Sequence, residues 1–256
     1  MKTMDYERPY YEDLNYPPLL YYVIFGVTGE DMAVSRERHH VDAIPEGLDC
    51  ISYNREEHDE YMSSMLDGVL GEMLDEGNHD LYEIVKSTDK WVVLRGEMKQ
   101  DADLNYMRNV IGMIQATLES GAVGVLDLQT FSLFSPQEWT DKIFSQEFDP
   151  YMHVVILASV AEDDSLWLHT RGMRKFGRPD ISMEHVDQKQ IEDAVQVVNQ
   201  LIYYGVLGAF FSRPTKVHTH NGLSCVVKPQ FVNDFDSPDF NNSYYRILWE
   251  ECELEQ

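Results

Sequence analysis

Residues 91–128 read WVVLRGEMKQDADLNYMRNVIGMIQATLESGAVGVLDL, and this stretch decides the fold class. Positions 91–98 are dense in apolar and β-branched residues and predict a strand. From 103 to 119, Leu104, Met107, Val110, Ile111, Ile114 and Leu118 return at the helical period on one face. Gly121 ends that helix, and residues 122–128 follow as a second apolar strand. Strands joined this way to an amphipathic helix predict an α+β fold, with a mixed or mainly antiparallel sheet and packed helices.

On the N-terminal side, residues 81–85 and 91–98 read as paired strands around the turn Ser87, Thr88, Asp89, Lys90. Residues 57–75 fit one helix, with Tyr61, Met65, Leu66, Val69, Met73 and Leu74 near a common stripe. Residues 19–25 form an apolar strand after Pro17 and Pro18, and residues 1–18 read as an acidic, Tyr-rich arm. Such an arm either folds over an edge of its own sheet or grips a partner.

Toward the C-terminus, Ser135, Pro136 and Glu138 mark a helix start. Residues 153–161 and 166–171 flank an acidic turn as a hairpin, and 181–186 is a further strand. Asp187 precedes a helix over 188–203, with Ile191, Ala194, Val195, Val198, Leu201 and Ile202 at helical spacing. The run Gly205, Val206, Leu207, Gly208 after it parallels Gly121, Ala122, Val123, Gly124 after the earlier helix. That parallel leaves two readings open, a pair of degenerate repeats or convergent packing. The organisation expected is an arm at 1–18 and one α+β domain over 19–256, or two intimate halves meeting near 148–151.

Composition narrows the functional classes. The 256 residues carry a formal net charge of -25, with 43% hydrophobic residues, far too apolar for a disordered acidic chain. Residues 1–80 alone hold 19 Asp/Glu against 5 Lys/Arg. Nucleic acid is disfavoured, because phosphate neutralisation requires a broad basic footprint, whereas a basic protein partner is compatible. No apolar run approaches the roughly 20 residues that span a bilayer, and the N-terminus has no apolar leader, so neither a membrane partner nor secretion is expected and the cytoplasm is. Cys50, Cys225 and Cys252 are widely spaced and read as reduced thiols. Neither a nucleophile elbow, a phosphate-binding loop nor a dinucleotide fingerprint occurs, so no cofactor is expected.

Three segments remain as candidate sites. Arg171, Arg174, Lys175 and Arg178 lie within eight positions of an otherwise acidic chain, among Gly172, Gly177 and Pro179. Guanidinium forks so placed suit a small carboxylate or phosphate, and neutralisation of neighbouring acids explains them as well. A two-residue hairpin at Asn221 and Gly222 makes His218 face Cys225, with His220 on the same side. That geometry permits a thiol–imidazole pair, a soft-metal site with His218, His220 and Cys225 as three ligands, or ordinary strand packing. Residues 233–242 are rich in Asp and Asn, but Pro238, Asp239 and Tyr245 occupy positions that defeat an EF-hand, and Asx turns explain them.

The run His169, Thr170, Arg171, Gly172, Met173, Arg174, Lys175, Phe176, Gly177, with Gly121 to Val125 upstream, resembles a bacterial family called domain of unknown function 4261. Thr170, Gly172, Met173, Phe176 and Gly177 match its Thr-x-Gly-Met/Leu-x-x-Phe-Gly segment, and Asp180 stands where Glu is expected. The resemblance covers residues 90–210 and implies an α+β bacterial protein without an assigned activity. Together these readings favour a non-catalytic binding or inhibitor protein, of the immunity type, for a basic partner. The alternative is a hydrolase or transferase whose small anionic substrate is held by the basic loop.

Overall fold

In the computed structural model, which describes residues 6–28, 33–144, 147–220, 222–232 and 241–254, the apolar run Leu19–Phe25 (β1) is the middle strand of a five-stranded antiparallel sheet. After it come a one-turn helix Arg36–His39 (α1), strand Asp49–Asn54 (β2) and helices Arg55–Leu66 (α2), Gly68–Gly77 (α3) and His79–Lys86 (α4). Strand Lys90–Glu97 (β3), helix Asn105–Glu119 (α5), strands Gly124–Asp127 (β4) and Ser132–Phe134 (β5), and helix Pro136–Trp139 (α6) follow, the last continued by a π-helical turn Thr140–Phe144. The sheet order is β2-β3-β1-β4-β5. Residues 19–99 and 103–148, with Tyr6, form one unit, and residues 7–18, 100–102 and 149 onward form a second.

Strand periodicity sorts the first unit's core. Val23 and Phe25 of β1 join Met62, Leu66, Leu74, Leu81, Val85 and Trp91 in one buried cluster under α2, α3 and α4. Phe25 and Trp91 meet edge to face, 5.0 Å between ring centroids. On the opposite face, Tyr22 reaches Met107 of α5, as the alternation of side chains across a strand requires. Helix α5 is buried through nearly its whole length, so its apolar spacing was a sound guide. Ser135 accepts from Glu138 N while the Glu138 carboxylate accepts from Ser135 N, a complete capping box.

Two expectations near α2–α4 are corrected. Residues 81–85 are helical, because the Asn78 side chain accepts from Leu81 N and Leu81 and Val85 occupy one buried stripe at i,i+4; an apolar run this short carries too little periodicity to separate strand from helix. The helix expected over 57–75 is two helices, broken where Asp67 is extended and Gly68 turns left-handed at φ +73°. That break turns Val69 and Met73 outward, at 73% and 44% exposure, instead of into the core.

The second unit holds a hairpin of Val155–Val160 (β6) and Leu166–Arg171 (β7), then Asp180–Val186 (β8) and helix Ile191–Val206 (α7). Strands Thr215–His218 (β9), Leu223–Gln230 (β10), Tyr244–Leu248 (β11) and Glu253–Leu254 (β12) complete it. The order is β12-β10-β11-β8-β7-β6 with β9 also on β10, and β11 runs parallel to β8 while the other pairs are antiparallel. Ala194, Val198, Leu201 and Ile202 of α7 are buried, as their spacing predicts. The run at 205–208 closes α7 and turns instead of entering a strand. There Gly208, at φ +103°, leaves room for the main chain of Tyr11, 2.6 Å from where a Cβ would sit. Among the described residues, no helix is long and apolar enough to cross a membrane.

The expectation of three reduced thiols is also corrected. Cys225 on β10 and Cys252 beside β12 are joined as a disulfide, with Cα atoms 4.4 Å apart. Ser224 pairs with Glu253 across the two strands, which brings the neighbouring cysteines opposite each other; a separation of 27 residues conceals this in the sequence. The link restricts the unfolded chain, so Cys252→Ser should lower stability by about 3 kcal/mol. Urea unfolding with and without reductant measures this. Equal midpoints for the wild-type protein in both conditions would dismiss the contribution.

Candidate functional site

The basic loop is built from two left-handed glycines, Gly172 at φ +115° and Gly177 at φ +59°, around a single 3-10 turn Met173–Phe176. A side chain on Gly177 would strike the Tyr16 carbonyl, 2.4 Å from the Cβ position, so the N-terminal segment lies directly on the loop. Arg178 is fully buried, and its guanidinium donates to Ala209 O (3.0 Å), Gly177 O (2.6 Å) and Gly208 O (2.6 Å). Lys175 is also fully buried and Arg171 nearly so. Arg174, half-buried, donates to Asn241 O at 3.1 Å. Four cationic heads converging on an outside anion are therefore not what the loop presents. Arg178 instead ties the loop to the turn that ends α7. Arg8 does the same for the N-terminal segment, donating to Val206 O and Phe176 O.

Asp180 sits at the centre of this buried polar group. It accepts from Thr170 Oγ1 at 2.8 Å, from Met173 N at 3.3 Å and from Asn242 Nδ2 at 2.8 Å. Asn242 in turn donates to Arg178 O and bonds the Tyr16 hydroxyl. Burial pushes the Asp180 carboxyl up to about 6, against the pull of these donors and of Arg171. His153 is enclosed as well, and burial together with the Lys175 charge brings it down to about 3. Such perturbation can mark a catalytic pair, but here both groups are sealed from solvent and satisfied by protein.

The hairpin signal at Gly222 identified a real turn with a different register. Thr219 N donates to Leu223 O, and His218 pairs with Ser224 and Val217 with Cys225; Asn221 of the expected turn lies outside the described residues. Gly222 takes φ +79°, the left-handed position of a three-residue loop. A one-residue shift sends Cys225 and His218 to opposite faces. Cys225 is in the disulfide, and His218 Nδ1 lies 2.9 Å from Ser224 Oγ. The thiol–imidazole pair is thereby removed. His220 is exposed and its main-chain N–H is held by Gln200, and among the described residues neither histidine belongs to a cluster of metal-ligating groups. Among the described residues one such trio exists, Asp75, His79 and Glu83, whose ligand atoms lie within 4.8 Å of one another. There His79 already bonds Asp75 at 2.5 Å, which raises its pKa. Residues 233–240 of the Asp/Asn-rich segment lie outside the described residues.

Exposed negative charge is dense on α2, α3 and α4. Residues 55–86 contain ten Asp/Glu and two Arg/Lys. Glu56, Glu57, Asp59, Glu60, Glu72, Glu76, Asp80 and Glu83 are exposed there. Val69, Met73 and Ile84 lie among them at 73%, 44% and 48% exposure. The acids were legible as composition; the outward apolar residues were not, because the break at Gly68 that rotates them is a conformational event. No family model matches the chain, and no curated protein or solved structure matches it.

Proposed function

We propose that this chain is a non-catalytic binding protein, of inhibitor or immunity type, whose α2–α4 surface receives a basic protein partner. The observation that carries the reading is the combination on those helices of a large excess of carboxylates over cationic groups with Val69, Met73 and Ile84 left exposed. Exposed apolar side chains rimmed by polar groups are a feature of protein interfaces, and a surface of one sign accelerates encounter with the opposite sign. The enclosure of Lys175 and Arg178 weighs against the alternative of a hydrolase or transferase gripping its substrate with that loop. The compartment belongs to the same proposal. The Cys225–Cys252 disulfide weighs against the cytoplasm expected from the sequence; thiol trapping in freshly lysed host cells tests this, and a reduced pair would restore the cytoplasmic reading.

Affinity capture from the native host tests the reading when run beside a variant carrying Glu72→Lys, Glu76→Lys and Glu83→Lys. The wild-type chain should retain a basic protein, and raising the salt from about 20 to about 300 mM should slow their association at least about tenfold. The variant should lose the partner while keeping its unfolding midpoint, since all three side chains are exposed. Association insensitive to salt, or undiminished in the variant, would refute the assignment.

A further inference from the structure

The first unit contains a cationic cleft that belongs to neither the basic loop nor the acidic helices. It is lined by Tyr6, Arg36, His40, Asp42, Arg108 and Phe144 and has a volume of about 380 Å³, within the range of small-molecule sites. Its framework is fixed by close packing. Gly112 of α5 lets the main chain of α1 approach so closely that a Cβ would lie 1.9 Å from His39 O. Arg108, one turn earlier on α5, shares that face. One residue on, Asn109 is buried, and its side-chain oxygen accepts from Asp42 N at 3.0 Å. The loop after α1 is thus pinned to α5 where Arg108 emerges.

The charges in this cleft do not balance. Arg36 meets Asp42 through Nε at 2.5 Å, and Arg108 Nη2 bonds the other oxygen of the same carboxylate. Beyond Asp42, neither guanidinium hydrogen-bonds another acceptor among the described residues, and the buried Nε of Arg108 has no partner among them. Among the described lining residues, two guanidiniums face one carboxylate, an excess of one positive charge in a chain whose formal net charge is -25. Aromatic rings stand beside it. The Arg108 guanidinium lies 6.0 Å from the Tyr6 ring centre. His40, held left-handed at φ +58° as the C-cap of α1, stacks on Phe144 with centroids 5.7 Å apart.

We propose that this cleft binds a small organic oxyanion, a phosphate or carboxylate joined to a planar ring. Arg36 and Arg108 offer it the fork geometry that such oxygens take, and Tyr6 and Phe144 offer its ring an apolar, stackable wall. Asp42 bridges the two forks and orients them while the cleft is open, and the excess guanidinium disfavours ligands of positive charge.

Titration of the full chain with phenyl phosphate, benzoate and inorganic phosphate, followed by calorimetry, tests the site. A ring-bearing anion should bind saturably and about tenfold more tightly than inorganic phosphate; the tighter of phenyl phosphate and benzoate identifies the oxyanion. Arg36→Gln should weaken that binding about tenfold, and its side chain is 81% exposed, so folding is not at stake. Phe144→Ala should bring the ring-bearing anion level with inorganic phosphate. The proposal is overturned by an absence of saturable binding up to about 10 mM, by unchanged affinity in Arg36→Gln, or by inorganic phosphate matching the ring-bearing anions in the wild-type chain.

Discussion

Arg178→Met should destabilise the second unit by about 4 kcal/mol, more than any other single change in the basic loop. Three main-chain carbonyls, of Gly177, Gly208 and Ala209, accept from that one guanidinium. Each hydrogen bond to a charged donor is worth roughly 1.5–3 kcal/mol, and a stranded buried acceptor adds its own cost. Relief from burying a charge offsets part of the loss. Arg174→Gln is the comparison, since its side chain is half-buried and bonds the Asn241 carbonyl at 3.1 Å; it should cost about 1 kcal/mol. Urea unfolding of both variants measures the difference. Equal effects, or a cost below about 1 kcal/mol for Arg178→Met, would mean that the loop is not a clamp.

Acid should act on two buried groups of the second unit in opposite directions. His153 is depressed from 6.5 to about 3. The unfolded chain takes up a proton that the folded chain refuses, so this contribution is complete above pH 6.5 and is lost as pH falls toward 3. Asp180 is raised from 3.8 to about 6. Here the folded chain takes the proton first, so stability is greatest below pH 3.8 and is lost as pH rises through 6. Between pH 6 and 4 each amounts to about 2 kcal/mol, with opposite sign. Relative to the wild-type chain, His153→Gln should gain about 2 kcal/mol on acidification and Asp180→Asn should lose about 2 kcal/mol, a divergence of about 4 kcal/mol between the two variants. Denaturant midpoints at half-unit steps read these slopes directly. Parallel slopes in the two variants would contradict the burial of one group or both.

The parts of this fold that were legible are those whose local pattern coincides with their tertiary use. Helices α5 and α7 bury the residues that their spacing exposes to view, and the β6–β7 hairpin and the cap at Ser135 follow from residues adjacent in sequence. Where a long-range partner decides, the sequence is silent. Helix α4 has the composition of a short strand and is settled by Asn78 and by packing under the sheet. The strand β11 was not anticipated, because its parallel pairing with β8 joins residues such as Tyr245 and Ile181.

The candidate sites divide in the same way. A cluster of charge at 171–178 is visible in the sequence, but its burial depends on Tyr16, the turn after α7 and Asn242, all distant along the chain. For His218 and Cys225 the turn residues were right, and one extra loop residue reversed the face. Arg36, His40, Asp42 and Arg108 form no motif, since they are brought together by the tertiary packing of α1 on α5, through the close approach at Gly112 and the bonds of Arg38 and His39 to Glu119.

Hydrogen–deuterium exchange on the full chain, alone and bound to the basic protein captured from its host, tests the proposed function most directly. The account predicts new protection over residues 55–86, strongest where Val69, Met73 and Ile84 are exposed, and unchanged exchange over 169–181. Protection confined to 169–181, with 55–86 exchanging as in the free protein, would contradict it.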